Sequence, residues 1–283
     1  MQVKMKHTEY RWKSYDGLEL YGQVWTTETK PKAVINLLHN HGEHSGIYED
    51  FARNLTDNNY SVVGMDFRGH GRSEGKRGYA SSYRKLIKDL QTLIDRSESL
   101  FPGYPRILIG QGLGGNIAIY YLSTHITNIS CLIVVSPWLV LEHRFPKSKM
   151  FVGNIIRHIL PTCMLETGFT AEDKRRGQDA VRKYMNDPLM HDKVSIRLFY
   201  EIIFAGQRSS RSIYKINMPV LLMHGTGDIV ASFKASKNFV LNASKKTIFQ
   251  EWPDYYHDLL TDEGSDKVFR YITDWLDSQP WRS

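Results

Sequence analysis

Residues 107–116 read Ile-Leu-Ile-Gly-Gln-Gly-Leu-Gly-Gly-Asn, an apolar run that breaks into glycines. Gly110, Gly112 and Gly115 satisfy G-x-G-x-x-G, a loop whose amides cradle the pyrophosphate of a dinucleotide. Gly110, Gly112 and Gly114 also fit G-x-S-x-G, the tight strand-to-helix turn that presents a serine nucleophile, with glycine in the serine's place. The nucleotide pattern needs an acidic residue about 20 positions on to hold a ribose hydroxyl. No Asp or Glu occurs between Gln111 and Leu141, and several strand–helix units precede the glycines. The nucleophile turn needs an acid and then a histidine later in the chain. Asp228, in Gly-Thr-Gly-Asp-Ile-Val, follows the apolar run 219–225, and His257 follows the strand-like run 246–252. Alone, each reads as an ordinary turn or surface residue. Their order, at strand ends where parallel sheets collect chemistry, fits an acid that orients a base. His257 would then draw the proton from a hydroxyl at position 112.

The elements that must position these residues are legible as periodicities. Alternating residues on either side of Asp16-Gly17 predict a β-hairpin. Apolar runs at 33–38, 60–66, 106–110, 131–136, 219–225 and 246–252 predict strands. Helical spacing is expected over 48–58, 81–100, 115–125 and the last amphipathic segment from Ser265. Strands alternating with helices predict an α/β fold, a mostly parallel central sheet flanked by helices. The alternation pauses between Pro137 and Ile216, where Asp179–Met185 and Val194–Phe204 look helical. A core of 1–136 and 217–283, interrupted by a helical cap at 137–216 after the sixth strand, is therefore expected.

Composition excludes several classes. No stretch approaches the roughly 20 apolar residues of a membrane-spanning helix. The first fourteen residues lack the apolar region of a secretion signal, so a cytoplasmic protein is expected, with peripheral contact at a membrane allowed. Cys131 and Cys163 form neither a disulfide framework nor a zinc pattern, and Cys131 lies in an apolar run that predicts a buried thiol. The net charge of +7 suits an anionic surface, yet Lys and Arg are dispersed and no nucleic-acid-binding motif occurs, so no nucleic acid is expected.

Two blocks, Gly42-Glu43-His44-Ser45-Gly46-Ile47-Tyr48-Glu49-Asp50-Phe51-Ala52 and Asp66-Phe67-Arg68-Gly69-His70-Gly71-Arg72-Ser73-Glu74-Gly75-Lys76-Arg77-Gly78-Tyr79, carry a family resemblance. Together with Asp187-Pro188-Leu189-Met190-His191-Asp192 they resemble the monoacylglycerol lipases and lysophospholipases of the α/β-hydrolase superfamily. The resemblance implies an α/β-hydrolase fold, no cofactor, and an acyl-ester lipid as substrate through an acyl-enzyme. It places Gly112 at the nucleophile position, with Asp228 and His257 completing the triad. It also makes the backbone amides of His41 and Leu113 an oxyanion hole. Glu43 is expected to meet a polar head group. The family has His-Gly after its third strand where this chain has His39-Asn40, and asparagine tolerates a left-handed backbone, so the turn is expected to survive. An arginine that follows Gly-Glu-His-Ser-Gly in the glycerol-binding members is Ile47 here.

A different resemblance competes at one point. His39-Asn40-His41-Gly42-Glu43-His44 fits H-x-H-x-[DE]-H, similar to the ligand motif of metallo-β-lactamase-like hydrolases, with His39, His41 and His44 as metal ligands. The downstream blocks do not follow that plan. In the insertion, residues 149–161 mix apolar and basic side chains, as expected of a lid over an acyl tunnel or of a membrane-touching helix. Losing the serine from such a triad costs roughly a million-fold in turnover. The chain is therefore expected to be nearly inactive, either an active lipase that lost its serine or a non-catalytic lipid- or protein-binding module. On the first reading, Gly112→Ser is expected to create an esterase, less stable than the glycine form because such turns are strained.

Overall fold

The structure is a computed structural model that describes residues 5–143 and 145–279. The earliest residues weighed for a leader, 1–4, lie outside the described residues. Among the described residues ten strands form: β1 (Lys6–Lys13), β2 (Glu19–Thr26), β3 (Ala33–Leu38), β4 (Tyr60–Met65), β5 (Arg106–Gln111), β6 (Ile129–Val135), β7 (Met164–Glu166), β8 (Lys193–Ser195), β9 (Val220–Gly225) and β10 (Thr247–Trp252). Eight of them make one sheet in the order β1-β2-β4-β3-β5-β6-β9-β10. From β4 to β10 every pairing is parallel, and the β1–β2 hairpin adds to that edge antiparallel. The strand order reverses beside β3 and β5, whose carboxyl ends carry His39-Asn40-His41 and the glycine turn. Such a reversal opens a crevice where open α/β sheets bind ligands.

Central strands bury both faces, and alternate side chains feed two separate cores. Val34 and Leu38 of β3 join one core, with Leu86, Leu90 and Leu93 of α2 (Tyr83–Leu100) and Ile117 of α3 (Leu113–Thr124). Ile35 and Leu37 face the other, with Phe51 and Leu55 of α1 (Glu49–Asp57) and Phe269 and Ile272 of α9 (Ser265–Asp277). Cys131 lies buried in the second core, and burial pushes its thiol up.

Between β6 and β9 the chain builds the cap: α4 (Lys147–Ile159), the β7–β8 ribbon, α5 (Ala171–Lys174), α6 (Gln178–Asn186) and α7 (Ile196–Ser210). Helix α7 buries Leu198, Tyr200, Ile202 and Ala205 and packs against α3 and α4. The two three-residue strands of the ribbon are too short to show a period in sequence. Helix α8 (Phe233–Leu241), which buries only Ser236 and Phe239, was likewise not anticipated. No helix among the described residues is long and apolar enough to cross a membrane.

Candidate active site

Strand β5 ends at Gln111, α3 begins at Leu113, and Gly112 alone makes the turn, at φ 53° and ψ −112°. That region is open to glycine and strains any L side chain. A Cβ on Gly110 would lie within 3 Å of the Gly114 carbonyl and the Gly115 nitrogen. A Cβ on Gly114 would lie within 3 Å of the Leu38 and His39 carbonyl oxygens. The flanking glycines are thus demanded by backbone-to-backbone approach across the turn, independently of what occupies position 112. The Gly112 carbonyl accepts from the amides of Asn116 and Trp138, which locks the turn onto the chain leaving β6.

Asp228 and His257 come from the loops after β9 and β10, which are parallel neighbours, so both reach the same end of the sheet. His257 Nδ1 lies 2.7 Å from Asp228 Oδ2. The amides of Val230 and Ala231 donate to Asp228 Oδ1 at 2.8 and 3.0 Å, and His224 Nε2 lies 2.9 Å from Oδ2. Burial opposes the Asp228 charge, but His257 and His224, by charge and by hydrogen bonding, hold its carboxyl well below the usual carboxylate range. Burial also opposes charging His257, and the Asp228 carboxylate outweighs it, so the imidazole sits above its ordinary value. The indole N–H of Trp138 donates to His257 Nε2 at 3.0 Å, which assigns the remaining proton to Nδ1, against Asp228. This is the tautomer of a general base.

The amides of His41 and Leu113 converge on a side chain of the protein itself. Asn40 Oδ1 accepts from His41 N at 2.7 Å and from Leu113 N at 3.0 Å. Its Nδ2 donates to Asp258 Oδ1 at 3.3 Å. Asn40 is not among the left-handed residues of the chain, so backbone tolerance does not account for asparagine there. Its side chain does.

Glu43 is fully buried and engaged: Tyr48 Oη donates to Oε2 at 2.6 Å, and Arg175 Nη2 pairs with Oε1 at 2.7 Å. The carboxylate expected to meet a head group is therefore turned inward, because α5 of the cap delivers a buried guanidinium to it. Arg175 Nε also pairs with Asp258 Oδ2 at 2.9 Å, and Gln111 Nε2 donates to Asp258 Oδ1 at 3.0 Å. Burial, aided by the Asp258 charge, drives the Glu43 carboxyl up to about 7 against the pull of Arg175. Asp258 is penalised by burial but held down by Arg175, His257 and Lys174.

The three histidines weighed as metal ligands have separate partners. His39 Nε2 accepts from the Phe67 amide, His41 Nε2 meets the Lys193 carbonyl, and His44 Nε2 meets Asp187. Among the described residues no group of three or more His, Cys, Asp or Glu side chains is arranged to hold a metal ion. The nucleotide loop fares no better, since the Leu113 amide that would meet a phosphate already holds Asn40.

Beside Trp138, within the cap, lies an apolar cavity of about 540 Å³ lined by residues including Leu141, Val152, Ile156, Phe169 and Phe199. The indole stands between this cavity and His257.

Residues 29–264 match the family model described as serine aminopeptidase, S33. The chain belongs to that family, within the α/β-hydrolase superfamily. It is 27% identical over 91% of its length to a monoglyceride lipase homolog of Monkeypox virus, covering 94% of that protein. It is 29% identical over 92% of its length to the human monoglyceride lipase, covering 88% of it. The crystal structure of the Paleococcus ferrophilus monoacylglycerol lipase superimposes with a TM-score of 0.82 at 26% identity, covering 99% of this chain and 100% of that one. The scaffold is thus that of the carboxylic ester hydrolases of this family, a serine-hydrolase type, with glycine at the turn.

Sequence reasoning missed Trp138, His224, Arg175 and Asp258. His224, near the end of β9, and Asp258, next to His257, stand close in sequence to residues that were singled out, and could have been found as the remaining titratable groups at those two strand ends. Arg175 and Trp138 lie in the insertion, where no motif marks them.

Proposed function

We propose that this chain is an ester-hydrolase scaffold of the monoacylglycerol lipase or lysophospholipase type that binds an acyl chain and does not turn it over. The observation that supports the reading is Gly112 at the tight turn after β5, where Trp138 donates its backbone amide to the Gly112 carbonyl and its indole N–H to a His257 in the base tautomer. On this reading Asp228 and His257 are the acid and base, and the amides of His41 and Leu113 are the oxyanion donors. Residues 137–216 form the cap and the remainder the core. A hydroxyl at position 112 would displace the Trp138 indole N–H from His257 Nε2, give its proton to that nitrogen and attack the ester carbonyl. The alcohol would leave with that proton, and water would then release the acid by the reverse exchange. Glycine supplies no such oxygen, and neighbouring Gln111 and Leu113 are not nucleophiles.

The acyl chain belongs in the cavity within the cap, whose lining is mostly apolar. A non-hydrolysable monoalkyl glycerol ether should bind the unaltered chain, and Ile156→Trp, which fills the cavity, should weaken that binding about tenfold or more. Equal affinity in the two proteins, measured by titration calorimetry, would move the ligand elsewhere.

Helix α4 supports a second element of the proposal, transient contact of a cytoplasmic protein with a membrane surface. Only Gly153 of α4 is buried, while Phe151, Val152, Ile155 and Ile159 are exposed, with Lys147 and Lys149 beside them. Such a face suits the headgroup boundary of an anionic bilayer. Phe151→Glu/Ile159→Glu should lower cosedimentation with phosphatidylserine-containing vesicles about tenfold; unchanged partitioning would exclude α4 as the contact.

A further inference from the structure

We infer that Asn40 and Gly112 are a mutually dependent pair, in which the Asn40 carboxamide plugs the oxyanion donors and fills the room of a side chain at position 112. The inference draws its catalytic meaning from the reading above, but its geometry stands alone.

Both donors are saturated from within. Asn40 Oδ1 takes the amide hydrogens of His41 and Leu113, so an ester carbonyl could reach them only by displacing the carboxamide. The same group uses up the space. A Cβ on Gly112 would fall within 3 Å of Asn40 Oδ1, Cγ and Nδ2, inside the van der Waals surface of all three atoms. Retreat is blocked on the other side, because Asn40 is fully buried and its Nδ2 is tied to Asp258, itself held by Arg175 and Gln111. A carboxamide oxygen placed between two convergent amides mimics the oxygen of a bound ester, and it can sit there only because position 112 lacks a side chain. Conversely, with glycine at 112 and nothing at 40, the two buried amides would lose their partner, at a cost typical of unsatisfied buried donors. Each residue thus makes the other tolerable.

The expectation that serine at position 112 suffices to create an esterase is therefore revised: the carboxamide must also go. The test is a double-mutant cycle on the full chain with Asn40→Gly, Gly112→Ser and their combination, and a parallel cycle with Gly112→Ala. Thermal midpoints and labelling by a fluorophosphonate probe are read for each. Gly112→Ser and Gly112→Ala alone should each melt about 5 °C or more below the unaltered chain, or fail to fold. Adding Asn40→Gly should recover part of that loss, a coupling that backbone strain cannot mimic because strain is present in both backgrounds. Labelling of the Asn40→Gly/Gly112→Ser protein should exceed that of Gly112→Ser by about a hundredfold or more. Additive midpoints in both cycles, or failure of every double variant to fold better than its single, would overturn the pair. Measurable labelling that is equal in the single and double serine variants would overturn the plug. Coupled midpoints without labelling in any variant would uphold the pair and sink the ester-hydrolase reading instead.

Discussion

Arg175→Met lowers the stability of the folded chain by about 3–5 kcal/mol near neutral pH, the usual cost of leaving buried charge without its partner. The guanidinium is 3% exposed and bonds two carboxylates that are not exposed at all, Glu43 and Asp258. Methionine fills the volume, so the loss reports charge rather than a cavity. The pH dependence follows from Glu43. Its folded carboxyl holds a proton up to about 7, against an ordinary value of 4.5. Its contribution to stability is therefore complete below about 4.5 and is lost as pH rises through about 7. Removing Arg175 exposes the full repulsion only where Glu43 is ionised, so the variant should lose more at pH 8 than at pH 5. Urea unfolding at the two values reads the difference. A loss below about 1 kcal/mol at pH 8 would mean that Lys174 alone neutralises the pair.

That network is also why the cap bears on the centre. Arg175 belongs to the insertion, whereas Glu43 and Asp258 belong to the loops after β3 and β10, so one side chain ties the cap to the floor of the site. The floor in turn holds Asn40.

Much of this arrangement was readable in the amino-acid order. The hairpin, the strands of the central sheet and the long helices are written as simple periods, and β3, β5 and β9 run where their apolar residues say. Asp228 and His257 could be read as a pair, and they do meet, because order along the chain is a topological consequence of parallel strands that end on one side. Gly110 and Gly114 were found because the turn leaves no room for carbon. Asn40 shows where reading stops. The departure from His-Gly was visible, but a sequence shows the backbone permission of asparagine more readily than the destination of its side chain. Its partners are the amide of the next residue and one 73 positions away, and only folding brings these to one oxygen. The buried partner of Glu43 was hidden for a similar reason: Arg175 lies 132 residues away, where no motif marks it. Three-residue strands such as β7 and β8 are fixed by pairing with each other, which single-strand patterns do not encode.

The largest effect belongs to the unaltered centre itself. A serine-dependent mechanism without its hydroxyl forfeits roughly a million-fold in turnover, and here the amides of His41 and Leu113, the proposed oxyanion donors, are occupied by Asn40 as well. The direct measurement is release of fatty acid from a monoacylglycerol by the unaltered chain, with His257→Ala assayed in parallel. The account predicts that both proteins release acid at the rate of buffer alone, while the unaltered chain still binds the monoalkyl glycerol ether. Steady release by the unaltered chain that disappears in His257→Ala would contradict it, by showing that the centre performs hydrolysis with glycine at position 112.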